Sequence, residues 1–444
     1  MALVPVETTL GTRRQVDQDA CNVDRSCLKG FCPSFVTVEG GQLQRDSSLD
    51  PGDIQQPPHR LLGDEGWRIL LAGVGGTGTV TVAAILGVAA RIDGMEARVK
   101  DMTGMAQKGG TVLSHVQLAP RGSVLRMDTI SSGQADLLLA SDLVVASGSD
   151  VGRCLAPTTK VIANSDVVET GSFTRDPHSR VDGPALLTAM AGRCPDIRSL
   201  PAIRAATAAC GEPLGAGLLM LGHAFQLGAI PLSLAALHRA IELNGGAVGR
   251  NRTAFAWGRR LAHDPAALEA LGVIDARTRD FSTMLQVWIE FLAHYQDHGW
   301  SGRYASLVER VRRAEQDNLP GSEDLTEAVA SAAFRLMSYK DEYEVARLLT
   351  NAGFHADLRR RFSGPFRLKF HLAPPVLTRI DPATGRPRKR TFGPWLLPWL
   401  RLLARMKGLR GTPWDPFGRS RERRQERQLI EDYFGLIDRV ISGL

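Results

Sequence analysis

At 444 residues and 43% hydrophobic, the chain is long enough to build two domains with substantial cores. Six cysteines at uneven spacing, with no signal peptide ahead of them, argue against a secreted disulfide framework. No apolar run reaches the roughly 18 residues that a membrane-spanning helix needs, so the expectation is a soluble, cytoplasmic protein without a membrane partner. The net charge of +7 is gathered at one end: residues 357–427 hold 19 of the 54 Lys and Arg but 5 of the 47 Asp and Glu. Such a block suits a solvated surface, an acidic protein partner or nucleic acid.

Residues 1–20 are polar. Cys21, Cys27 and Cys32 then follow within twelve residues, with Pro33 directly after the last. Thiolates are the usual iron–sulfur ligands, and proline after a ligand cysteine recurs in ferredoxin-like motifs. The spacing is not C-x2-C, however, and a cubane cluster needs a fourth ligand. Zinc would want a nearby histidine, which is lacking, and plain structural cysteines are the third reading. Cys154, Cys194 and Cys210 stand alone and read as small core residues. Residues 41–66, rich in Gln, Asp, Pro and Gly, read as a polar linker.

The stretch from 67 to 118 carries the strongest signal. Trp67–Ala72 is an apolar run of strand length, Gly73-Val74-Gly75-Gly76-Thr77-Gly78 a glycine turn, and Thr79–Ala90 an Ala-rich helix. Glycines let the backbone approach an anion, and the helix start offers unpaired N–H groups. The same pattern also serves strand–helix packing alone. Glu96–Lys100 reads as a second strand, Gly104–Gly110 as a second glycine turn containing Lys108, and Thr111–Leu118 as an alternating strand.

This G-x-G-G-x-G turn, Ala-rich helix and Gly-x-x-x-x-Gly-Gly turn resemble the gamma domain of the 2-oxoacid:ferredoxin oxidoreductases. The run from Cys21 to Val38 resembles the end of the thiamine-diphosphate domain in the fused indolepyruvate ferredoxin oxidoreductases. What the resemblance implies is a subunit or fragment of an enzyme that decarboxylates an aryl 2-oxoacid oxidatively, with coenzyme A as co-substrate and ferredoxin as acceptor. It further implies a [4Fe–4S] cluster with Cys21, Cys27 and Cys32 among its ligands. Gly73, Gly75, Gly76, Thr77, Gly78, Thr79 and Lys108 would bind the phosphate-bearing coenzyme A, and no residue of the chain is assigned a catalytic role. Thiamine diphosphate with Mg2+ would sit on a partner subunit or an upstream half, because the Gly-Asp-Gly motif that holds it does not occur; Gly63-Asp64-Glu65-Gly66 comes nearest. The chain should then be inactive without that partner, and an oligomer is expected.

Further along, Ala135–Ala146 reads as a helix end running into a strand, and Thr159–Asn164 as a strand. Leu214–Leu227 and Leu232–Leu243 read as covering helices, on which His223 and His238 are ordinary residues. The run from Ile241 to Asn251 resembles the family's closing helix pair. From Pro265 long helices are expected at 280–296, 303–316 and 322–351, with Tyr339–Arg347 as a salt-bridged helix surface. An extended segment at 370–379, a hairpin-type turn at 381–385 and a final helix from Arg421 to Leu444 complete the chain, and this region resembles the fused family's C-terminal domain of unknown role. The expected class is α/β, a Rossmann-like gamma domain with a mixed or parallel sheet, followed by a mainly helical C-terminal domain. The expected boundaries are a cysteine-bearing tail at 1–40, a linker at 41–66, the gamma-type domain at 67–260 and the helical domain with its basic tail at 261–444. Two other readings are kept: a nicotinamide-dependent oxidoreductase, with Glu96 or Asp101 ending the second strand, and a nucleic-acid-binding protein acting through the basic block.

Overall fold

The computed structural model describes residues 3–8, 10–16, 25, 28, 34–43, 50–58, 62–104, 110–167, 181–273, 280–374 and 388–443. They form two compact units, one of residues 45–274 and one joining 1–44 to 275–444. In the latter, β1 (Leu3–Thr8) and β2 (Gly11–Val16) pair as an antiparallel hairpin. Two short strands, β3 (Ser34–Glu39) and β4 (Gln42–Leu43), follow and find their partners far along the chain.

The unit of residues 45–274 opens on β5 (Trp67–Val74), α1 (Thr79–Ile92), β6 (Glu96–Thr103) and β7 (Thr111–Ala119). Next come β8 (Ala135–Ala140), α2 (Leu143–Ala146), α3 (Ser149–Cys154), β9 (Leu155–Asn164), α4 (Gly183–Arg193) and β10 (Ile197–Leu200). Then α5 (Ala202–Cys210), α6 (Ala216–Gln226), α7 (Leu234–Asn244), α8 (Val248–His263) and the short α9 (Ala267–Ala270) close the unit. The strands make one six-stranded sheet in the order β10-β9-β8-β5-β7-β6. Neighbours from β5 to β10 run parallel, and β7 alone runs against both of its neighbours. The sheet is therefore mixed, one of the two forms expected.

Alternation along β5 shows why the sheet is covered on both faces. Ile69 and Leu71 enter a core with α1 and α5–α8, while Leu70 and Ala72 enter the opposite core with α2, α3 and α4. Every one of these four is at most 1% exposed, so the strand reads as a continuous apolar run rather than an alternating one. Between 135 and 146 the order is strand then helix, the reverse of the expectation. Ala135–Ala140 has two buried sides, which hides the period of two, and Asp142 accepts from the Val145 N–H at 2.9 Å to start α2. The core also takes in Leu261, Ala267 and Leu271, so this unit continues past 260 to 274.

The C-terminal half supplies α10 (Phe281–Tyr295), α11 (His298–Asn318), α12 (Asp324–Met337), α13 (Glu342–Thr350) and α14 (Ala352–Arg361). They lead into β11 (Phe362–Ser363), β12 (Arg367–Leu372), β13 (Arg390–Phe392), α15 (Leu397–Arg405) and α16 (Arg421–Ser442). One core gathers α10, α11, α12 and α16, with Trp288 stacked on Phe334 at 5.2 Å. A second lies under α13 and α15 against β12. β12 pairs antiparallel with β3 in a six-residue register and with β13 on its other side, and β11 pairs with β4. Residues 34–43 are thus built into the same unit as the C-terminal helices, a long-range pairing that the sequence reading, with its separate 1–40 tail, did not contain.

The long helix expected over 322–351 is two. Asp341 accepts from the Glu344 N–H at 2.8 Å and so starts α13 afresh. The same carboxylate takes two bonds from Arg410, at 2.6 and 2.9 Å, with both partners 3% exposed. Arg410 also lies 3.8 Å from the Tyr295 ring centre. The Tyr339–Arg347 stretch is therefore a correction to its surface reading: Asp341, Tyr343 and Glu344 are buried. Among the residues that the structure describes, no helix is long and apolar enough to cross a membrane.

Candidate functional site

The glycine turn after β5 sits beside the start of the strand that follows the second glycine turn. β5 and β7 pair with Gly73 opposite Val112 and Val74 opposite Thr111, and the Gly75 N–H donates to the Gly110 carbonyl at 2.8 Å. Gly76 and Gly78 have φ of +91° and +84°, backbone that a side chain disfavours. Among the described residues a Cβ on Gly76 would meet nothing within 4 Å, whereas one on Gly73 would lie 2.4 Å from Thr79 Oγ1. Gly73 thus serves close packing, and Gly76 faces open space.

The hydroxyls turn away from that space. Thr77 Oγ1 donates to the Val74 carbonyl at 2.7 Å and lies 3.3 Å from Thr79 Oγ1, and Thr79 is 3% exposed. Among the described residues nothing accepts from the N–H groups of Gly76, Gly78, Thr79, Val80 or Thr81. These are the orphan donors of the turn and of α1's first turn, and no side chain caps that helix.

These groups line a cleft of about 750 Å³ together with Thr103, Gly104, Glu212, Asn244, Ala247 and Arg250, a size usual for small-molecule sites. Its far wall is the start of α8. Ala247, at φ +46°, precedes that helix without a side-chain cap. Arg250 Nη1 donates to Glu212 Oε2 at 3.1 Å, with the carboxylate side chain 7% and the guanidinium 33% exposed. What holds α8 in place is a glycine crossing with α6. A Cβ on Gly222 would fall 1.9 Å from the Phe255 carbonyl oxygen, and one on Gly258 1.8 Å from that of Leu219. Only backbone fits between the two helices. His223 is buried at this crossing, where burial pushes its imidazole down to about 4, and it is not among the residues that line the cleft.

Two helix starts, with their positive dipole ends and orphan donors, and one arginine therefore converge on one cleft. The arrangement suits an anion. Among the described lining residues there is no Cys, Ser, His or Lys, and Glu212 accepts from Arg250. Sequence reasoning found the glycine turn and missed Arg250, Glu212 and Thr81. The signal for the first was the Asn244-Gly245-Gly246 turn before a helix, which marks a backbone turn but not which later side chain reaches the cleft. Lys108, Cys21, Cys27 and Cys32 lie outside the described residues, as does the expected turn at 381–385. Among the described residues there is no cluster of His, Cys, Asp or Glu able to hold a metal. Cys154, Cys194 and Cys210 are buried free thiols, as expected of core cysteines.

A mixed α/β sheet with a cleft where the first strand meets its helix is the layout that nucleotide- and cofactor-binding folds use. Comparison with known proteins gives two partial family matches. Residues 68–261 match the pyruvate ferredoxin/flavodoxin oxidoreductase family, and residues 281–444 match a family of unknown function (DUF6537). The chain is 28% identical over 182 residues to the indolepyruvate oxidoreductase subunit IorB of Methanothermobacter thermautotrophicus, covering 40% of this chain and 87% of that one. It is 27% identical over 175 residues to the same subunit of Archaeoglobus fulgidus, covering 39% and 84%. Among solved structures, the gamma subunit of a keto/oxoacid ferredoxin oxidoreductase from Geobacter sulfurreducens aligns with 22% identity and a TM-score of 0.32, covering 44% of this chain and 98% of that one. The family match to the pyruvate ferredoxin/flavodoxin oxidoreductases thus covers the unit that carries the cleft, less than half of the chain. The curated relatives it matches are indolepyruvate oxidoreductase subunits, the type that the resemblance indicated, and neither the nicotinamide nor the nucleic-acid reading is favoured.

Proposed function

We propose that the chain is the gamma-bearing subunit or portion of an enzyme that oxidises an aryl 2-oxoacid such as indolepyruvate to its acyl-CoA and CO2, and that its cleft takes the phosphate-bearing end of coenzyme A. The observation that carries the second part is the convergence of the α1 and α8 starts and Arg250 on the open side of Gly76. A diphosphate is the ligand such donors suit. The chain's own residues bind and orient; bond-making belongs to thiamine diphosphate held by a partner. An iron–sulfur centre involving Cys21, Cys27 and Cys32 belongs to the same proposal, as does assembly with a thiamine-bearing subunit.

The test is reconstitution. The purified chain with indolepyruvate, thiamine diphosphate, Mg2+, coenzyme A and a viologen dye is expected to show no turnover. Adding a thiamine-bearing subunit of the family should start coenzyme-A-dependent dye reduction. Steady turnover by the chain alone, or none with any 2-oxoacid in the complex, overturns the proposal.

A further inference from the structure

The segment from Trp395 to Met406, with α15 at its centre, is apolar on both sides. Leu396, Leu397, Leu400 and Leu403 pack into the core against β12, yet Trp395, Trp399, Leu402 and Met406 on the outer side are 62%, 64%, 51% and 37% exposed. These four recur at helical spacing. A helix that is apolar all round belongs in an interior, and an isolated exposed Trp–Trp–Leu–Met stripe marks an interface.

Its border is cationic. From Thr391 to Arg410 the chain has Arg401, Arg405, Lys407 and Arg410 and no Asp or Glu. Lys407 donates to the His294 carbonyl and Arg410 is buried against Asp341. Arg401 and Arg405 are exposed, and among the described residues no carboxylate pairs with either. Trp, Met and Arg are the residues enriched in protein–protein interfaces. A lipid-binding helix would instead carry a wide Lys/Arg face opposite a single apolar one, and here the opposite face is core.

We propose that this face docks an acidic electron-carrier protein of the ferredoxin class, its carboxylates meeting Arg401 and Arg405 around an apolar centre on Trp395 and Trp399. The inference rests on the reading above that the enzyme passes electrons to ferredoxin. Charge sign selects an acidic partner over a second copy of this basic chain, since the block of residues 357–427 would repel itself. The stripe begins three residues after β13, and Trp395 touches Phe392 of that strand with ring centres 6.0 Å apart.

The experiment compares two electron acceptors in the assembled enzyme, methyl viologen, which needs no docking, and a purified acidic [4Fe–4S] ferredoxin. Variants are the double charge reversal Arg401→Glu/Arg405→Glu and, as a charge-neutral check, Trp399→Ser, each with its thermal midpoint recorded. The expected result is a fall of about tenfold or more in ferredoxin-linked kcat/KM, with the viologen rate and the midpoint unchanged. The wild-type ferredoxin rate should also fall as salt rises from about 0.05 to 0.5 M. Unchanged ferredoxin kinetics in both variants overturns the docking proposal. So does loss in the variants of self-association or of binding to anionic lipid vesicles while ferredoxin kinetics stay normal. If wild-type enzyme reduces neither acceptor, the oxidoreductase reading itself fails. Direct binding of the same ferredoxin to the immobilised chain then decides docking: binding that the variants lose supports it, and absence of binding overturns it.

Discussion

Arg250 is the one cationic side chain among the described residues that line the cleft, and its pairing with Glu212 makes a two-variant prediction. Arg250→Met removes the guanidinium and leaves the Glu212 carboxylate, 7% exposed, without this partner. Breaking a fully buried pair costs about 3–5 kcal/mol. The arginine here is 33% exposed, so solvent screening reduces the expected loss to roughly 1–3 kcal/mol. For a unit of this size that is a fall of roughly 2–12 °C in thermal midpoint. Losing a charge-assisted hydrogen bond to a phosphate should weaken coenzyme A by about 1.5–3 kcal/mol, roughly 10- to 150-fold in Kd. Glu212→Gln acts in the opposite direction on affinity. It keeps the shape, removes a negative charge beside the site, and frees Arg250 to meet the ligand, so coenzyme A should bind more tightly while stability falls modestly. Titration calorimetry of coenzyme A against the chain, beside thermal melts, reads both effects. Equal affinity in Arg250→Met, or weaker affinity in Glu212→Gln, refutes the assignment of Arg250 to the anion.

Glu315 is buried and accepts from Ser322, from the Leu325 and Thr326 N–H groups and from the Thr326 hydroxyl at 2.6–2.9 Å. Burial pushes its carboxyl up, but these four bonds prevail and hold it down to about 2. A depressed carboxylate stabilises the fold above its ordinary value of 4.5 and loses that contribution as pH falls toward 2. The gap in stability between wild type and Glu315→Gln should therefore be widest near neutrality and close on acidification, and a gap that widens on acidification contradicts the reading. Anaerobic iron and sulfide reconstitution should give the isolated chain at most a labile centre, because three cysteines leave a cubane one ligand short. Stable retention of four irons per chain would place a fourth ligand within it.

How much of this was legible in the sequence follows from how local each signal was. The β5–turn–α1 unit stood out because run length, glycines and helix spacing all lie within 26 residues, from Trp67 to Ile92. The strand–helix order at 135–146 was inverted because a strand buried on both faces has no alternation to show. The break at 338–341 is set by Asp341, whose cap to Glu344 is local but whose partner, Arg410, is 69 residues away. β3 was hardest of all, since it pairs across more than 300 residues with a strand whose pattern is equally short. The anion cleft was half legible: the glycines announce a turn, but the placement of Arg250 depends on the Gly222–Gly258 crossing, a fit between helices that periodicity does not encode.

The central claim, that the open side of Gly76 receives the phosphates of coenzyme A, is tested most directly by Gly76→Ala in the assembled enzyme. At φ +91° alanine costs about 1–2 kcal/mol of strain, and its methyl group meets no atom of the described residues within 4 Å, so the strain is the cost expected of it. The account predicts that KM for coenzyme A rises at least about tenfold, the equivalent of one lost charge-assisted contact, while KM for the 2-oxoacid stays the same and the thermal midpoint falls by no more than the strain requires. An unchanged KM for coenzyme A in a variant that melts as expected would contradict it.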